Sequence, residues 1–282
     1  MTPIVRIALE EDIGTGDVTT RACVPESQQA HGRFLAREPL IVAGLGLLHE
    51  LYDSVTLHKH DGDSCIDGEI IAEVAGTART LLEHERVALN FLQRLSGVAT
   101  LARQFTELVK GTKCRVLDTR KTTPGLRALE KAAAAAGGVT NHRMGLFDAV
   151  LIKNTHIAAA GGVPSAIERV RASGLDIEIE VRTRAELHEA LDAGAQHLLL
   201  DNLTPAEAAG WIREIAGRAR VELSGGINLS TVQAYAETGA AFVSAGAITH
   251  SARAMDISFR LELVGHDLSC PPGESPAKSS LP

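Results

Sequence analysis

The stretch Ile177-Glu178-Ile179-Glu180-Val181, the amphipathic run Arg184–Ala193 and then His197-Leu198-Leu199-Leu200-Asp201 together decide the fold. Each short aliphatic run fits a strand, and the segment between them has helical spacing. Parallel neighbours need such a helix-length crossover. The alternation extends outward on both sides. Further apolar runs occur at Cys114–Asp118, Ala149–Lys153, Val221–Ser224 and Phe242–Ala245, with helical patterns at Pro164–Ala172, Pro205–Arg218 and Leu229–Thr238. Six strands, with a candidate seventh near His142–Leu146, predict an α/β protein whose second part is an incomplete, seven-stranded α/β barrel. An open dinucleotide-binding sheet is disfavoured, because no Gly-x-Gly-x-x-Gly opens the first unit.

Upstream the rhythm differs. Residues 1–80 read as mixed α/β: a helix over Ile4–Glu11, a turn at Asp61-Gly62-Asp63, and paired strands at Glu69–Val74 and Ala78–Leu82. From Glu83 to Val109, residues such as Ala88, Phe91, Leu92, Leu95, Ala99, Ala102 and Phe105 recur at spacings of three and four, predicting a long helix that Gly111 ends. Three segments result: 1–110, 111–265, and a Pro-, Ser- and Gly-rich tail, 266–282, expected to be disordered.

Composition narrows the function. The chain has 282 residues, 45% hydrophobic and 22% charged, with a net charge of −7. An acidic surface argues against nucleic acid or an anionic membrane as partner. With only six Phe, two Tyr and one Trp, base-stacking platforms are also improbable. The longest strongly apolar stretch, Leu40–Leu48, is too short for a bilayer. The opening Met1-Thr2-Pro3 does not resemble a secretory signal, and the scattered Cys23, Cys65, Cys114 and Cys270 form no Cys-x-x-Cys pair. A cytoplasmic protein with free thiols is expected.

Buried parallel strands should be almost purely aliphatic. Here period two puts Glu178 and Glu180 on one face, and sets Lys153 with Leu151, Asp201 with Leu199 and Ser224 with Glu222. If the aliphatics face the outer helices, the barrel interior receives Glu178, Glu180, Asp201, Glu222 and Lys153. The bland alternatives are strand-end charges in solvent, or Lys–Glu pairing at Glu178 and Glu222. Past the first strand, Thr119 and Lys121 are expected on one face, with Asp118 and Arg120 on the other. Cations also gather in Asp118-Thr119-Arg120-Lys121-Thr122 and Asn141-His142-Arg143, so a small polyanion is the natural ligand of an otherwise acidic chain. Ser224-Gly225-Gly226 and Ala245-Gly246-Ala247 follow the last two strands, where barrels commonly hold a phosphate. Glu180 and Asp201 offer hard oxygen ligands for Mg²⁺.

These segments, with Glu10-Glu11-Asp12-Ile13-Gly14-Thr15-Gly16-Asp17, Glu85-Arg86, Leu95-Ser96-Gly97-Val98-Ala99-Thr100, Leu200-Asp201-Asn202 and Gly246-Ala247-Ile248-Thr249-His250, resemble in order the quinolinate phosphoribosyltransferase (carboxylating nicotinate-nucleotide pyrophosphorylase) family. The resemblance spans about residues 5–260. It implies an N-terminal α/β sandwich (capping) domain over 1–110, a catalytic α/β barrel over 111–265, and a homodimer in which Arg86 reaches the neighbouring site. It also implies quinolinate and phosphoribosyl pyrophosphate as substrates, with Mg²⁺, and nicotinate mononucleotide, pyrophosphate and CO2 as products. Carried over by position, Thr119, Arg120, Lys121, His142, Arg143 and Lys153 bind quinolinate and part of the donor. Glu180 and Asp201 hold ribose and Mg²⁺-pyrophosphate, while Ser224, Gly225, Gly226, Gly246 and His250 take the 5′-phosphate. Lys121, Lys153, Glu180 and Asp201 would be the catalytic residues. Two departures from the family pattern are Val139, after Gly137-Gly138, and Thr155, before His156. Rival readings are a related barrel protein of molybdate-transport loci, a Schiff-base lyase using Lys153, and a non-catalytic nucleotide-binding module.

Overall fold

A computed structural model describes residues 1–265, so the expectation for the 266–282 tail lies outside the described residues. Pro3 opens helix α1 (Pro3–Ile13), and the Asp17 carboxylate caps α2 (Val18–Cys23) by accepting the Thr20 amide at 2.9 Å. Strands β1 (Gln29–Ala36) and β2 (Leu40–Ile41), helix α3 (Leu48–Leu51), and strands β3 (Ser54–Leu57), β4 (Ser64–Cys65) and β5 (Ile70–Thr77) follow. Helix α4 (Ala78–Leu108) then runs for 31 residues. Its start corrects the expected strand at Ala78–Leu82: the Thr77 hydroxyl accepts the Thr80 amide at 3.2 Å, and the capped run that follows is built from good helix formers. Downstream the expected face holds, with Ala88, Leu92, Leu95, Ala99, Ala102 and Phe105 buried.

The second layer alternates as the sequence predicts: β6 (Arg115–Leu117), α5 (Arg127–Ala136), β7 (Val150–Ile152), α6 (Asn154–Ala160), α7 (Val163–Arg171), β8 (Ile177–Val181), α8 (Arg184–Asp192), β9 (His197–Asp201), α9 (Pro205–Ile215), β10 (Arg220–Ser224), α10 (Val232–Ala236), β11 (Phe242–Ser244) and α11 (Ala247–His250). The strands form a six-stranded parallel sheet in the order β6-β11-β10-β9-β8-β7. The expected seventh strand at His142–Leu146 does not form, and a single bridge from Leu117 to Thr140 stands in its place. Side-chain acceptors explain the loss. Asp118 takes the His142 amide at 2.7 Å, and Asp148 takes those of Met144 and Gly145 at 2.6 and 2.9 Å, removing donors a strand would use.

The chain then returns to its beginning. Strand β12 (Ile257–Leu263) pairs antiparallel with β1, and the four-stranded N-terminal sheet has the order β12-β1-β5-β3. The division drawn at residue 110 is thus crossed by the last strand. Phe259 lies opposite fully buried Phe34, with ring centroids 4.8 Å apart. Ahead of β12, Arg253 donates to Glu38 at 2.7 Å and the Asp256 amide donates to it at 2.8 Å. These bonds, the Arg253 one foremost, hold the Glu38 carboxyl down at about 2. A depressed folded pKa gives stability that is complete above the ordinary carboxylate range and is lost as pH falls toward 2. Thermal unfolding of Glu38→Gln is therefore expected to lose less stability than wild type between pH 5 and pH 2.5; parallel losses would contradict this anchor.

Candidate active site

Register fixes what faces inward. Leu199 lies between Glu180 on β8 and Glu222 on β10, Leu151 lies beside Glu178, and Asp201 beside Ser224. The alternate residues Ile179, Val181, Leu198, Leu200, Val221 and Leu223 are buried on the other face. All five interior charges expected from period two therefore point inward. Four of them, Lys153, Glu180, Asp201 and Glu222, line two connected compartments of about 370 and 400 Å³ that share Thr119, Lys121, Asp201, Ser224 and Ser244, while Glu178 lines neither.

The first compartment gathers Arg120, His142, Arg143, Lys153, Glu180 and Glu222. Arg120, Lys121, Arg143 and Lys153 make no salt bridge among the described residues. Burial, and after it the Arg120 charge, lowers the pKa of the Arg143 guanidinium. The Nε of Arg120 is buried without a partner. Unpaired cations held this close favour an anion between them. The expected two-faced pattern past β6 does not occur, because the strand ends at Leu117. Thr119, Arg120 and Lys121 all reach the cavity, while Asp118 turns away to a fully buried ion pair with Lys131.

The second compartment adds Asn202, Gly225, Gly226, Asn228, Gly246 and His250. Gly225 has φ +98°, and a Cβ there would lie 2.3 Å from the Asn202 side-chain oxygen. A Cβ on Gly246 would lie 2.8 Å from Lys121 Cδ. Both glycines thus let backbone approach cation and ligand space. Ser224 Oγ donates to Asp201 Oδ1 at 2.5 Å, and Asn202 Nδ2 to Asp201 Oδ2 at 2.7 Å. Burial, then the Asp201 charge, raises the pKa of Glu180, while Lys153 opposes.

Beneath the first compartment lies a buried cluster. His142 Nε2 sits 3.2 Å from Glu178 Oε2 and 3.4 Å from Glu222 Oε2, and His197 Nε2 sits 3.3 Å from Glu178 Oε1. The glutamates pair with histidines, which corrects the Lys–Glu alternative. Burial pushes Glu178 up to about 7 and lowers His197. Burial also opposes charging of His142, but the two carboxylates outweigh it and draw that ring up to about 10. Its Nδ1 accepts the Arg143 amide at 2.8 Å. The same bond places the ring's own proton on Nε2, which disqualifies His142, Glu178 and Glu222 as a metal triad despite ligand atoms within 4.8 Å.

Arg86 does not join the site; it is exposed on α4 and lines neither compartment. His156 Nδ1 accepts the Lys153 amide at 3.0 Å, so Thr155 leaves this helix-start contact intact. Val139 is buried and Thr140 makes the bridge beside it. Sequence reasoning missed Asn202 as a lining residue, along with Ser244, Asn228 and the supporting Arg94. From α4, Arg94 donates to Glu130 at 2.7 Å and to the carbonyls of Thr249 and Ala252 at 2.5 and 2.6 Å. Glu130 in turn receives Thr123, and Thr249 Oγ1 donates to the Lys121 carbonyl at 2.8 Å. One arginine thus ties both cavity loops together. Its position in Gln93-Arg94-Leu95 carries no local signal.

No helix among the described residues is long and apolar enough to cross a membrane. Residues 17–96 match the family "Quinolinate phosphoribosyl transferase, N-terminal domain" and residues 98–260 its "C-terminal domain". The chain is 41% identical over 262 residues to "Probable nicotinate-nucleotide pyrophosphorylase [carboxylating]" of Bacillus subtilis, covering 90% of each chain. It is 38% identical to the chloroplastic "Nicotinate-nucleotide pyrophosphorylase [carboxylating]" of Arabidopsis thaliana, covering 92% of this chain and 82% of that one. The crystal structure of NadC from Streptococcus pyogenes superposes with a TM-score of 0.87 at 37% identity, covering 94% of this chain and 99% of that one. Both halves of the chain match, in the order the motifs run, and the cation-lined cavity lies where those motifs converge: the chain belongs to the quinolinate phosphoribosyl transferase family.

Proposed function

We propose that this chain is a carboxylating nicotinate-nucleotide pyrophosphorylase, which joins quinolinate to phosphoribosyl pyrophosphate and yields nicotinate mononucleotide, pyrophosphate and CO2. One observation carries the reading: four cations, Arg120, Lys121, Arg143 and Lys153, line one compartment with no salt-bridge partner among the described residues. Quinolinate brings two carboxylates, and planar guanidinium forks suit them. His142 lines the same compartment with both ring nitrogens engaged, so it presents its ring rather than a free N–H. Ser224, Gly225, Gly226, Gly246 and His250 of the adjoining compartment receive the 5′-phosphate.

Glu180 and Asp201 fit a divalent cation, because two carboxylates facing one cavity repel until a positive charge joins them. They would hold Mg²⁺, which when bound supplies charge neutralisation for the pyrophosphate. As the pyrophosphate leaves, positive charge grows at the anomeric carbon, and the Glu180 carboxylate stabilises it. No base is needed, since the pyridine nitrogen has its lone pair. Once ribosylated, that nitrogen is cationic and the adjacent carboxylate departs as CO2. The cations allow a dianion to approach a polyanion.

The reading extends to a homodimer whose Arg86 completes the neighbouring cavity. Its support is the exposure of Arg86 and of Leu146 and Phe147, which are 72% and 76% exposed near Arg143. A cytoplasmic location is supported by the free thiols of Cys23, Cys65 and Cys114. Incubation with quinolinate, phosphoribosyl pyrophosphate and Mg²⁺ is expected to release CO2 and pyrophosphate in equal amounts; release of neither overturns the assignment. Arg86→Ala and Arg143→Ala subunits should each be inactive. Mixed, they should recover up to about a quarter of wild-type activity, since half the dimers would carry one intact site. No recovery would refute the shared site.

A further inference from the structure

Arg120 and Arg143 come from two separate loops, one past β6 and one ahead of β7, and their charges repel. Holding them at a fixed separation therefore takes bonds from elsewhere. Resting on the reading that they receive the two carboxylates of quinolinate, we infer that Arg127 is the positioning residue that sets the gap between them. It thereby makes the compartment select two adjacent carboxylates over one. Arg127 is the first residue of α5, is half-buried and lines neither compartment. Its guanidinium spans both loops. Nε donates to Thr122 Oγ1 at 3.1 Å, Nη2 to the Arg120 carbonyl at 3.3 Å, and Nη1 to the carbonyl of Met144, next to Arg143, at 3.3 Å. A rigid planar fork fixes three acceptors relative to one another, which a single ammonium cannot do.

The two loops are thus tied at both ends of the arginines they carry. Ahead of them, Asp118 takes the His142 amide at 2.7 Å; beyond them, Arg127 grips the Arg120 and Met144 carbonyls. With the second tie removed, repulsion opens the gap, and a dicarboxylate meets one guanidinium at a time. Donor-facing Lys121 is held separately, its carbonyl accepting Thr249 Oγ1 at 2.8 Å. The phosphate compartment should therefore keep its shape when Arg127 is lost.

The test is calorimetric titration of the full chain with quinolinate, with nicotinate, which lacks one of the two carboxylates, and with inorganic pyrophosphate and Mg²⁺. Wild type should prefer quinolinate to nicotinate. In Arg127→Met the Kd for quinolinate is expected to rise about thirtyfold, as loss of one charged hydrogen-bonded contact predicts. Nicotinate and pyrophosphate should bind as they do to wild type. A general loosening of the fold would weaken pyrophosphate as well; that result, or an unchanged quinolinate Kd, overturns the inference. Arg127→Lys keeps the charge and loses the fork, so it should match Arg127→Met, and it decides the matter if the methionine variant does not fold. Wild-type affinity in Arg127→Lys would make charge alone sufficient and overturn the brace. Wild type that binds quinolinate but releases no pyrophosphate from phosphoribosyl pyrophosphate overturns the reaction and leaves Arg127 to be judged by the titrations. Wild type with no preference for quinolinate over nicotinate overturns the selectivity assigned to Arg127.

Discussion

Arg143→Ala is expected to lower kcat/KM for quinolinate by about three orders of magnitude, since truncating one partner of a desolvated charge pair costs about 4 kcal/mol. Stability should not fall. Among the described residues, the Arg143 guanidinium donates only to the Ala149 carbonyl, at 3.2 Å, and its neighbour Arg120 repels it. Removing it relieves one like-charge contact in the substrate-free protein. Arg143→Lys should recover little, because an ammonium cannot reproduce the planar fork. Steady-state kinetics with calorimetric unfolding on the same samples checks both halves. Activity close to wild type would remove the main support for quinolinate as substrate.

Lys131→Ala should act in the opposite sense, on folding first. Lys131 and Asp118 form an ion pair with side chains 1% and 0% exposed. Taking away one partner of such a pair leaves an uncompensated buried charge, at a cost of about 3–5 kcal/mol. For a chain of this size that corresponds to a fall of roughly ten degrees in Tm. Activity should also decline in the folded fraction, because Asp118 holds the His142 amide at 2.7 Å. The double replacement Asp118→Asn with Lys131→Met should regain part of the stability, since neither residual group is charged. A melting curve of Lys131→Ala that overlays wild type would refute this role.

These two residues show what a sequence can and cannot display. Arg143 sits in Asn141-His142-Arg143, where a dense cation motif in an acidic chain points to an anion. Lys131 precedes a run of five alanines and reads as an ordinary helix-surface lysine; only the packing of α5 against α4 and α11 buries it. Period two suffices for Glu180, Asp201, Glu222 and Ser224, because strand geometry alone chooses their face. It fails past Leu117, where the strand ends and turn geometry aims Thr119, Arg120 and Lys121. The five residues Ala78–Leu82 are too few for period to separate strand from helix, and the Thr77 cap settles the matter. The glutamate–histidine cluster joins residues 36 and 44 positions apart, at His142–Glu178 and Glu178–Glu222, a proximity that exists only once β8 and β10 flank β9.

The pairing of β12 with β1 bears on how the protein is made. During synthesis β1 emerges early, with one of its two edges bare, and its partner is translated more than two hundred residues later. Until residue 263 clears the ribosome, that exposed edge can pair with a neighbouring nascent chain. A stop codon placed before Ile257 would therefore leave the barrel strands intact yet yield a product prone to aggregate through its first domain.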